Sequence, residues 1–304
     1  MKKYKIFIYD DAKPHAHDQD PVYENTVPLS NIGIKKHFDV TTCPDNADIF
    51  YMGQFSEGQI PKFNQYKFLQ KYPNKHVCDI EGDWLNKDLA PEDIKKSIFT
   101  INGLKDAYKP HLDRMFIRPT FSKNLMNLLK KKTTNDVNYN KKFSFIGLND
   151  PFNIRLSLKS VLEKRFPNHT NITLNNRWLG SSNDKTHHRI FNETILSGTF
   201  SLCPRGSGVD SVRFLESCFH GRIPIVVSDN VCFGYEFPKK FYFQYDFKQN
   251  HEIFFDSIMN MTNDEIKEYS NNAREFFNTY VRNYFYDPTQ MFLDWFKRYE
   301  KNTR

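Results

Sequence analysis

The sequence predicts an α/β protein built from two units, each with its own parallel sheet. In both halves of the chain, short apolar segments of strand length alternate with segments of helical periodicity, a pattern typical of parallel sheets. The polar run Lys130–Lys142 (KKKTTNDVNYNKK) separates the two halves. The length of 304 residues also fits two domains at about 150 residues each. We therefore expect two Rossmann-like lobes that face each other across a cleft.

The first half, residues 1–135, is predicted to form the N-terminal lobe. The chain enters a buried strand at Tyr4, and that strand ends at the acidic pair Asp10-Asp11. Further apolar runs of four to six residues follow at the spacing of a parallel sheet. The predicted strands are Tyr4–Asp10, Ala47–Met52, His76–Ile80, Ser97–Ile101 and Phe116–Pro119, and the predicted helices are Lys62–Lys71 and Phe121–Lys132.

The second half, residues 140–285, is predicted to form the C-terminal lobe, followed by a terminal helix over 286–304. Asn149-Asp150-Pro151 indicates a helix start, Gly221 suits the position just after a helix, and Thr262 with Glu265 forms a capping box. The aromatic terminal helix is expected to pack back onto the first lobe, with Pro288 marking the crossing. The predicted strands are Phe143–Gly147, Ile172–Leu174, Thr199–Cys203 and Ile223–Ser228, and the predicted helices are Lys185–Leu196, Ser211–His220 and Thr289–Tyr299.

Composition and charge exclude several classes of protein. The mean hydropathy of −0.68 and the lack of a long apolar run argue against a transmembrane segment. The net charge of +7 comes without the clustered basic stripe of a nucleic-acid binder, but it suits a small anionic ligand such as a nucleotide. Five cysteines without a C-x-x-C pair indicate neither a disulfide framework nor a zinc site. The N-terminus lacks a signal-peptide pattern, so we expect a cytoplasmic protein.

The segment Thr199–Asn230 (TFSLCPRGSGVDSVRFLESCFHGRIPIVVSDN) is the best candidate for a ligand site. A strand ends at Pro204, a glycine-containing turn follows, and a helix begins near Ser211. Ligands of open α/β sheets bind at the carboxyl ends of the strands, and a helix N-terminus there favours anions. Arg213 and Glu216 share one helix face, which suits a diphosphate and a ribose. The turn is neither a Walker loop nor a Rossmann fingerprint. The alternative interpretation is a plain connecting turn with a surface ion pair.

The same segment resembles the exostosin family of glycosyltransferases (carbohydrate-active family 47). Weaker similarities are Ala47–Tyr51, His76 followed by Asp83-Trp84, and Phe143–Gly147 with Arg155. Arg222 departs from the family pattern, because it replaces the usual cysteine and leaves no disulfide there. The matching motifs are Cys203-Pro204-Arg205-Gly206, Ser211-Val212-Arg213-Phe214-Leu215-Glu216, Gly221-Arg222-Ile223-Pro224-Ile225 and Asp229.

The resemblance implies a GT-B fold and inverting transfer from a nucleotide sugar, most often a UDP-sugar, to a glycan or other hydroxyl acceptor. The resemblance also implies that the enzyme needs no metal. It further implies a role in polysaccharide biosynthesis. Without a metal, arginines and backbone N–H groups must stabilise the departing diphosphate. The candidate donor-binding residues are Arg155, Arg205, Gly206, Ser207, Gly208, Ser211, Arg213 and Glu216.

Inverting transfer also needs a general base for the acceptor hydroxyl, which we expect from the N-terminal lobe. Asp83 is the first candidate, and Asp79 and Glu81 are the alternatives, because all three follow or end the same strand. His76 is expected to pack or to orient a neighbour.

No metal or other cofactor is predicted. Asp18-Gln19-Asp20, beside His15 and His17, resembles the D-x-D motif of metal-dependent sugar transferases. It follows the first strand directly, whereas such a motif normally follows a complete nucleotide-binding half, so we interpret it as a polar loop. The alternative function is a catalytically silent protein of the same fold that binds a nucleotide or a glycan.

Overall fold

A computed structural model describes the chain in two compact units. The first unit contains Met1–Arg118, Cys232–Tyr235 and Asn283–Arg304, and the second contains Pro119–Val231 and Glu236–Arg282. The described residues are 3–9, 34, 36–55, 63, 66–80, 95, 97–101, 104–105, 110–111, 113–117, 119, 122–133, 136–149, 153–176, 185–205, 211–228, 231–232, 237–246 and 249–303.

Strands and helices alternate along the second unit, whereas the described part of the first unit consists mainly of strands, with two helices from the C-terminal end of the chain. The strands are β1 (Tyr4–Ile8), β2 (Phe38–Val40), β3 (Ile49–Phe55), β4 (His76–Ile80), β5 (Ser97–Ile101), β6 (Leu104–Lys105), β7 (Met115–Ile117), β8 (Phe143–Leu148), β9 (Thr170–Asn175), β10 (Phe200–Pro204), β11 (Ile223–Val227), β12 (Val231–Cys232) and β13 (Phe243–Tyr245). The α-helices are α1 (Lys123–Leu129), α2 (Ile154–Arg165), α3 (Lys185–Leu196), α4 (Arg213–Phe219), α5 (His251–Met259), α6 (Asn263–Phe276), α7 (Asn283–Tyr286) and α8 (Pro288–Thr303), with a π-helix over Phe277–Arg282.

The first unit contains a six-stranded sheet in the order β2-β1-β3-β4-β5-β7. Every neighbouring pair in it is parallel. All five residues of β4 are buried, as expected of a central strand covered on both faces.

Helix α8 covers part of the first sheet with its aromatic side. Phe116 stacks on Trp295 with ring centroids 5.9 Å apart, and Tyr4 meets Phe296 edge to face. The aromatic face of α8 therefore belongs to the core of the first unit, as the sequence predicted. The residues of α8 in this core are Met291, Phe292, Leu293, Trp295, Phe296 and Tyr299.

The second unit contains a five-stranded sheet in the order β13-β11-β10-β8-β9, again with every pair parallel. The strands β10 and β11 are buried at all five positions each. Apolar residues of α2, α5 and α6 complete the core beneath them. The prediction of two α/β units with parallel sheets is confirmed.

Both sheets have the strand order of doubly wound proteins. Numbered within its own unit, each sheet runs 2-1-3-4-5, and in the first unit a sixth strand follows. The direction of chain progression reverses between β1 and β3 in the first unit and between β8 and β10 in the second. In such sheets ligands bind at the carboxyl ends of the strands at this reversal, the topological switch point.

Two local predictions from the sequence agree with the structure, and two are wrong. The capping box of Thr262 and Glu265 forms as predicted, and Gly221 has a φ of +59°, as a residue after a helix end requires. The predicted helix Lys62–Lys71 is wrong, because 67–71 form turns. The helix start predicted at Asn149–Pro151 is also wrong, because α2 begins at Ile154 after Asn153 in the left-handed region.

Two boundaries between the compact units lie at Arg118/Pro119 and at Arg282/Asn283. The sequence predicted these domain boundaries near residues 135 and 285. Helix α1 therefore belongs to the second unit, where it packs on α4. Among the residues that the structure describes, no helix has both the length and the apolar character needed to cross a bilayer.

Candidate ligand-binding site at the second sheet

The switch point of the second sheet is held together by Arg155, near the start of α2. Its Nη1 donates to the carbonyl oxygen of Leu148 at 2.7 Å, and its Nη2 donates to that of Arg205 at 3.3 Å. Leu148 ends β8, and Arg205 directly follows β10. Arg155 thus bridges the carboxyl ends of the two strands between which the chain reverses.

Arg213 is the first residue of α4, and only 5% of it is exposed. Its Nε and Nη1 are buried and have no hydrogen-bond partner. Burial lowers the pKa of this guanidinium below its ordinary value, and the nearby Glu216 carboxylate opposes that shift. A buried cation without hydrogen bonds costs free energy. An anionic ligand that accepted from these nitrogens would offset that cost.

The Glu216 carboxylate faces a different set of groups. It is 3% exposed, and its Oε1 accepts from Ser122 Oγ at 2.8 Å and from Asn124 Nδ2 at 3.0 Å. Among the described residues, neither an ion pair nor a hydrogen bond joins Glu216 to Arg213. The interpretation as a surface ion pair is therefore wrong.

A network of amides and a histidine extends from Glu216. Asn124 and Asn192 exchange two hydrogen bonds of 3.1 Å through their side-chain amides. Asn192 Oδ1 also lies 3.1 Å from His220 Nε2. Burial lowers the pKa of His220 to about 4, so its ring is neutral near pH 7 and donates from Nε2 to the amide oxygen. This network links α1, α3 and the end of α4, and it fixes Oε1 of Glu216.

The other predicted donor-binding residues lie between β10 and α4 in the sequence. The backbone N–H of Arg205 donates to the Val227 carbonyl at 3.0 Å, and the Ser211 carbonyl accepts from Phe214 N at 2.9 Å. Helix α4 begins at Arg213, two residues later than predicted. Gly206, Ser207 and Gly208 lie outside the described residues.

Cys203 and Arg222, both within the exostosin-like segment, have packing roles. Burial raises the pKa of Cys203 to about 12, so the thiol is neutral, and it donates to the carbonyl of Ser201. Arg222 is buried and donates to the carbonyls of Asp136, His220 and Leu196. The departure from the family's cysteine thus introduces a cation that holds three backbone segments.

Of the three candidate bases, only Asp79 lies among the described residues of the first unit. Asp79 lies in β4, is 1% exposed and pairs in register with Gln54 of β3 and Thr100 of β5. Glu81 and Asp83 lie outside the described residues. All three stay predictions.

His76 packs rather than presenting a free base, as expected. Its ring stacks on Phe50 at 4.6 Å, and its Nδ1 lies 3.1 Å from the Tyr72 carbonyl, to which it must donate. The Nε2 therefore accepts from the Tyr9 hydroxyl at 2.8 Å. Burial lowers the pKa of His76 to about 4, which agrees with this neutral tautomer.

A cavity of about 530 Å³ in the first unit lies away from the switch point. Asp48, Lys75 and Arg114, which line it, directly precede β3, β4 and β7, at the amino ends of these strands. Its charged groups already bond within the protein, for example Lys75 to the Ala47 carbonyl and Glu300 to the Tyr4 hydroxyl. It contains none of the predicted site residues.

The D-x-D motif contains the candidate metal ligands of the sequence. Asp18 and Asp20, with His15 and His17, lie outside the described residues. Within the described ranges, no three His, Cys, Asp or Glu side chains come together as a possible metal site. Metal independence stays a prediction that an experiment must test.

The site also contains residues that the sequence did not indicate. Phe145 and Phe191 lie against the Arg213 guanidinium, with ring centroids 5.4 and 4.3 Å from its Cζ. Ser122 and Asn124 hold Glu216 from more than 90 positions away in sequence. Phe145 lies within the motif Phe143–Gly147, but no sequence pattern indicated that Phe191, Ser122 or Asn124 belongs to the site.

Together, the fold and this site define a doubly wound α/β protein in which, among the described residues, a buried arginine lacks hydrogen-bond partners at two nitrogens near the carboxyl edge of a sheet. No family model matches the chain, and a search of curated proteins finds no match, so the exostosin resemblance stays a prediction.

Solved structures give distant similarities. A glycosyltransferase from Rickettsia africae ESF-5 aligns at 11% identity and a TM-score of 0.43, covering 99% of this chain and 100% of that one. AviGT4, a glycosyltransferase involved in avilamycin A biosynthesis, aligns at 10% identity and 0.38, covering 97% and 98%. Anabaena Alr3699/HepE, solved in complex with UDP, aligns at 7% identity and 0.37, covering 96% and 98%. The two parallel sheets themselves define the fold.

Proposed function

We propose that the chain is an inverting glycosyltransferase of GT-B type. It transfers a sugar from a nucleotide donor, with UDP as the nucleotide, to a glycan or other hydroxyl acceptor, and it does so without a metal. The observation that carries the proposal is Arg213, a buried guanidinium with two unbonded nitrogens beside the switch point of the second sheet.

Donor binding is assigned to the positive charges at the carboxyl edge of the second sheet. The leaving nucleoside diphosphate gains negative charge as the glycosidic bond breaks, and fixed positive groups stabilise it. Arg213 supplies N–H donors suited to phosphate oxygens, and Arg205 and the turn after it supply further candidates. Both hydrogen bonds to Glu216 go to Oε1, so Oε2 is the atom assigned to the ribose hydroxyls.

Acceptor activation is assigned to one carboxylate of the first unit. Asp83 is the leading candidate, with Asp79 and Glu81 as the alternatives. The base takes the acceptor proton as that oxygen attacks the anomeric carbon and the diphosphate leaves. His76 is not the base, because its Nε2 accepts from Tyr9.

The test is calorimetric titration of wild type and Arg213→Ala with uridine, UDP and a UDP-sugar. A hydrogen bond to a charged group contributes roughly 1.5–3 kcal/mol, so UDP and UDP-sugar affinity should fall about ten- to a hundredfold. Uridine affinity should hardly change, because uridine has no phosphate.

Arg165→Ala is the matched control, because it removes the same charge from an arginine ion-paired with Asp256. It should leave all three affinities at the wild-type value. If Arg213→Ala retains full UDP affinity, the donor-site assignment is wrong. Titration with GDP and CMP tests the choice of nucleotide, and nucleotide binding without transfer to any acceptor would favour the binding-protein alternative.

A further inference from the structure

The position of the Arg213 side chain is set by aromatic rings. Among the described residues, no hydrogen bond or ion pair to its guanidinium is found, and Nε and Nη1 are buried without partners. The Cζ lies 4.3 Å from the ring centroid of Phe191 and 5.4 Å from that of Phe145. Both distances are within about 6 Å, the range in which a cation over a ring is attracted by its quadrupole.

The Phe145 ring also contacts the second guanidinium of the site. Arg155 Cζ lies 5.4 Å from the same centroid, and Arg155 is fixed by its bonds to the Leu148 and Arg205 carbonyls. The ring needs the space that Gly147 provides, since a Cβ there would lie 2.6 Å from Phe145 Cζ. A glycine two residues along β8 thus leaves room for the ring.

Contact through the ring face leaves the edge of a guanidinium available. The N–H groups of arginine lie in the guanidinium plane, whereas an aromatic ring packs on its face. A carboxylate that held Arg213 would occupy the same N–H groups that a phosphate needs. A ring orients the cation and does not compete for them.

Resting on the proposed function, we propose that Phe191 is a positioning residue for the phosphates of the donor. It holds the Arg213 guanidinium by its ring face, together with Phe145, so that Nε and Nη1 stay available to phosphate oxygens. Phe191 lies on α3, outside every motif that the sequence offered.

The test compares Phe191→Leu with Phe191→Tyr in titrations with UDP, inorganic pyrophosphate and uridine. Leucine keeps an apolar side chain but has no ring face, so affinity for UDP and pyrophosphate should fall about 3- to 30-fold. Uridine affinity should not change. Tyrosine restores the ring face and should restore UDP affinity to within about twofold of wild type.

Phe254→Leu is the matched control, because Phe254 is a partly buried aromatic residue of the same unit that packs on Tyr245 and Phe255. It should leave the ratio of UDP to uridine affinity unchanged. Thermal melting of every variant shows whether it is folded. If Phe191→Leu does not fold, Phe191→Met replaces it with a flexible apolar side chain.

The outcomes separate the two proposals. If Arg213→Ala loses UDP affinity but Phe191→Leu does not, the positioning role is overturned and the proposed function stands. Equal losses for the leucine and tyrosine variants, or a loss for uridine as well, also overturn the positioning role, because a general packing defect would explain them. If Arg213→Ala retains UDP affinity, the proposed function itself is wrong.

Discussion

The two sheets have the same strand order, but different side chains lie near their switch points. In the first unit, Tyr9 follows β1, and its hydroxyl donates to the neutral, stacked His76 at the amino end of β4. In the second, Arg155 follows β8 and Arg213 follows β10, and both guanidiniums contact the ring of Phe145. Backbone topology therefore determines where a ligand can bind, and the side chains at that edge determine its charge.

The contrast also concerns how buried polar groups are satisfied. His76, at the amino end of β4, has a partner at each ring nitrogen. Among the described residues, Arg213 has none at Nε or Nη1, and we propose that an anion is the missing partner. The predictions below test this division, from the largest expected effect to the smallest.

Loss of the general base should give the largest effect. Asp83→Asn keeps the size and polarity of the side chain but removes the proton acceptor, so transfer should fall about 10²–10⁴-fold. UDP affinity should not change, because the donor is assigned to the second unit. Steady-state transfer rates and calorimetry measure the two quantities.

Asp79→Asn and Glu81→Gln are the comparison variants. If Asp83→Asn turns over normally and one of these does not, that neighbour is the base. If all three retain wild-type turnover, the base does not lie on this segment and the division of roles between the units is wrong.

Two buried histidines should make stability depend on pH. The pKa values of His76 and His220 are lowered to about 4 by burial, against an ordinary value near 6.5. Between these values the unfolded chain binds protons that the folded chain does not, so stability is complete above about 6.5 and is lost as the pH falls towards 4. Each histidine accounts for up to about 3 kcal/mol.

The measurement is urea unfolding of wild type and His76→Asn at several pH values. The free energy of unfolding of the variant should fall less steeply between pH 6.5 and 4. His251→Asn, at an exposed position at the start of α5, should keep the wild-type slope. Parallel curves for wild type and His76→Asn would contradict the neutral, buried histidine.

Removal of the Glu216 carboxylate should weaken every uridine-containing ligand alike. Glu216→Ala is expected to lower affinity for uridine, UDP and a UDP-sugar about ten- to a hundredfold, since all three carry the ribose hydroxyls. Glu193→Ala, on the exposed face of α3 beside Arg189, is the control and should change none. A loss limited to the phosphate-bearing ligands would assign Glu216 to the support of Arg213 instead.

Metal removal should have the smallest effect. With arginines at the donor site, EDTA should leave donor hydrolysis and transfer essentially unchanged. If activity disappears in EDTA and returns with Mn²⁺ or Mg²⁺, metal independence is wrong, and Asp18 and Asp20 become the first candidate ligands.

The sequence by itself determined the elements whose signals are local. Alternation of strands and helices predicted two parallel sheets, the capping box at Thr262 and Glu265 predicted the start of α6, and Gly221 marked the end of α4. These succeed because caps and periodicity depend on residues within one or two turns of each other. The helix predicted at Lys62–Lys71 failed, because apolar residues at helical spacing also suit a series of turns whose side chains pack on the sheet.

The tertiary structure alone decided how the site is put together. The sequence placed Arg213 and Glu216 on one helix face, but it could not show that Arg213 lies between aromatic rings or that Glu216 is held by Ser122 and Asn124. Arg213 is buried by strands and helices that are distant from it in the chain. This burial lowers the pKa of its guanidinium and leaves two of its nitrogens without hydrogen bonds. Local patterns specify elements, whereas the dielectric environment and the partners of a side chain are set by which elements the fold packs around it.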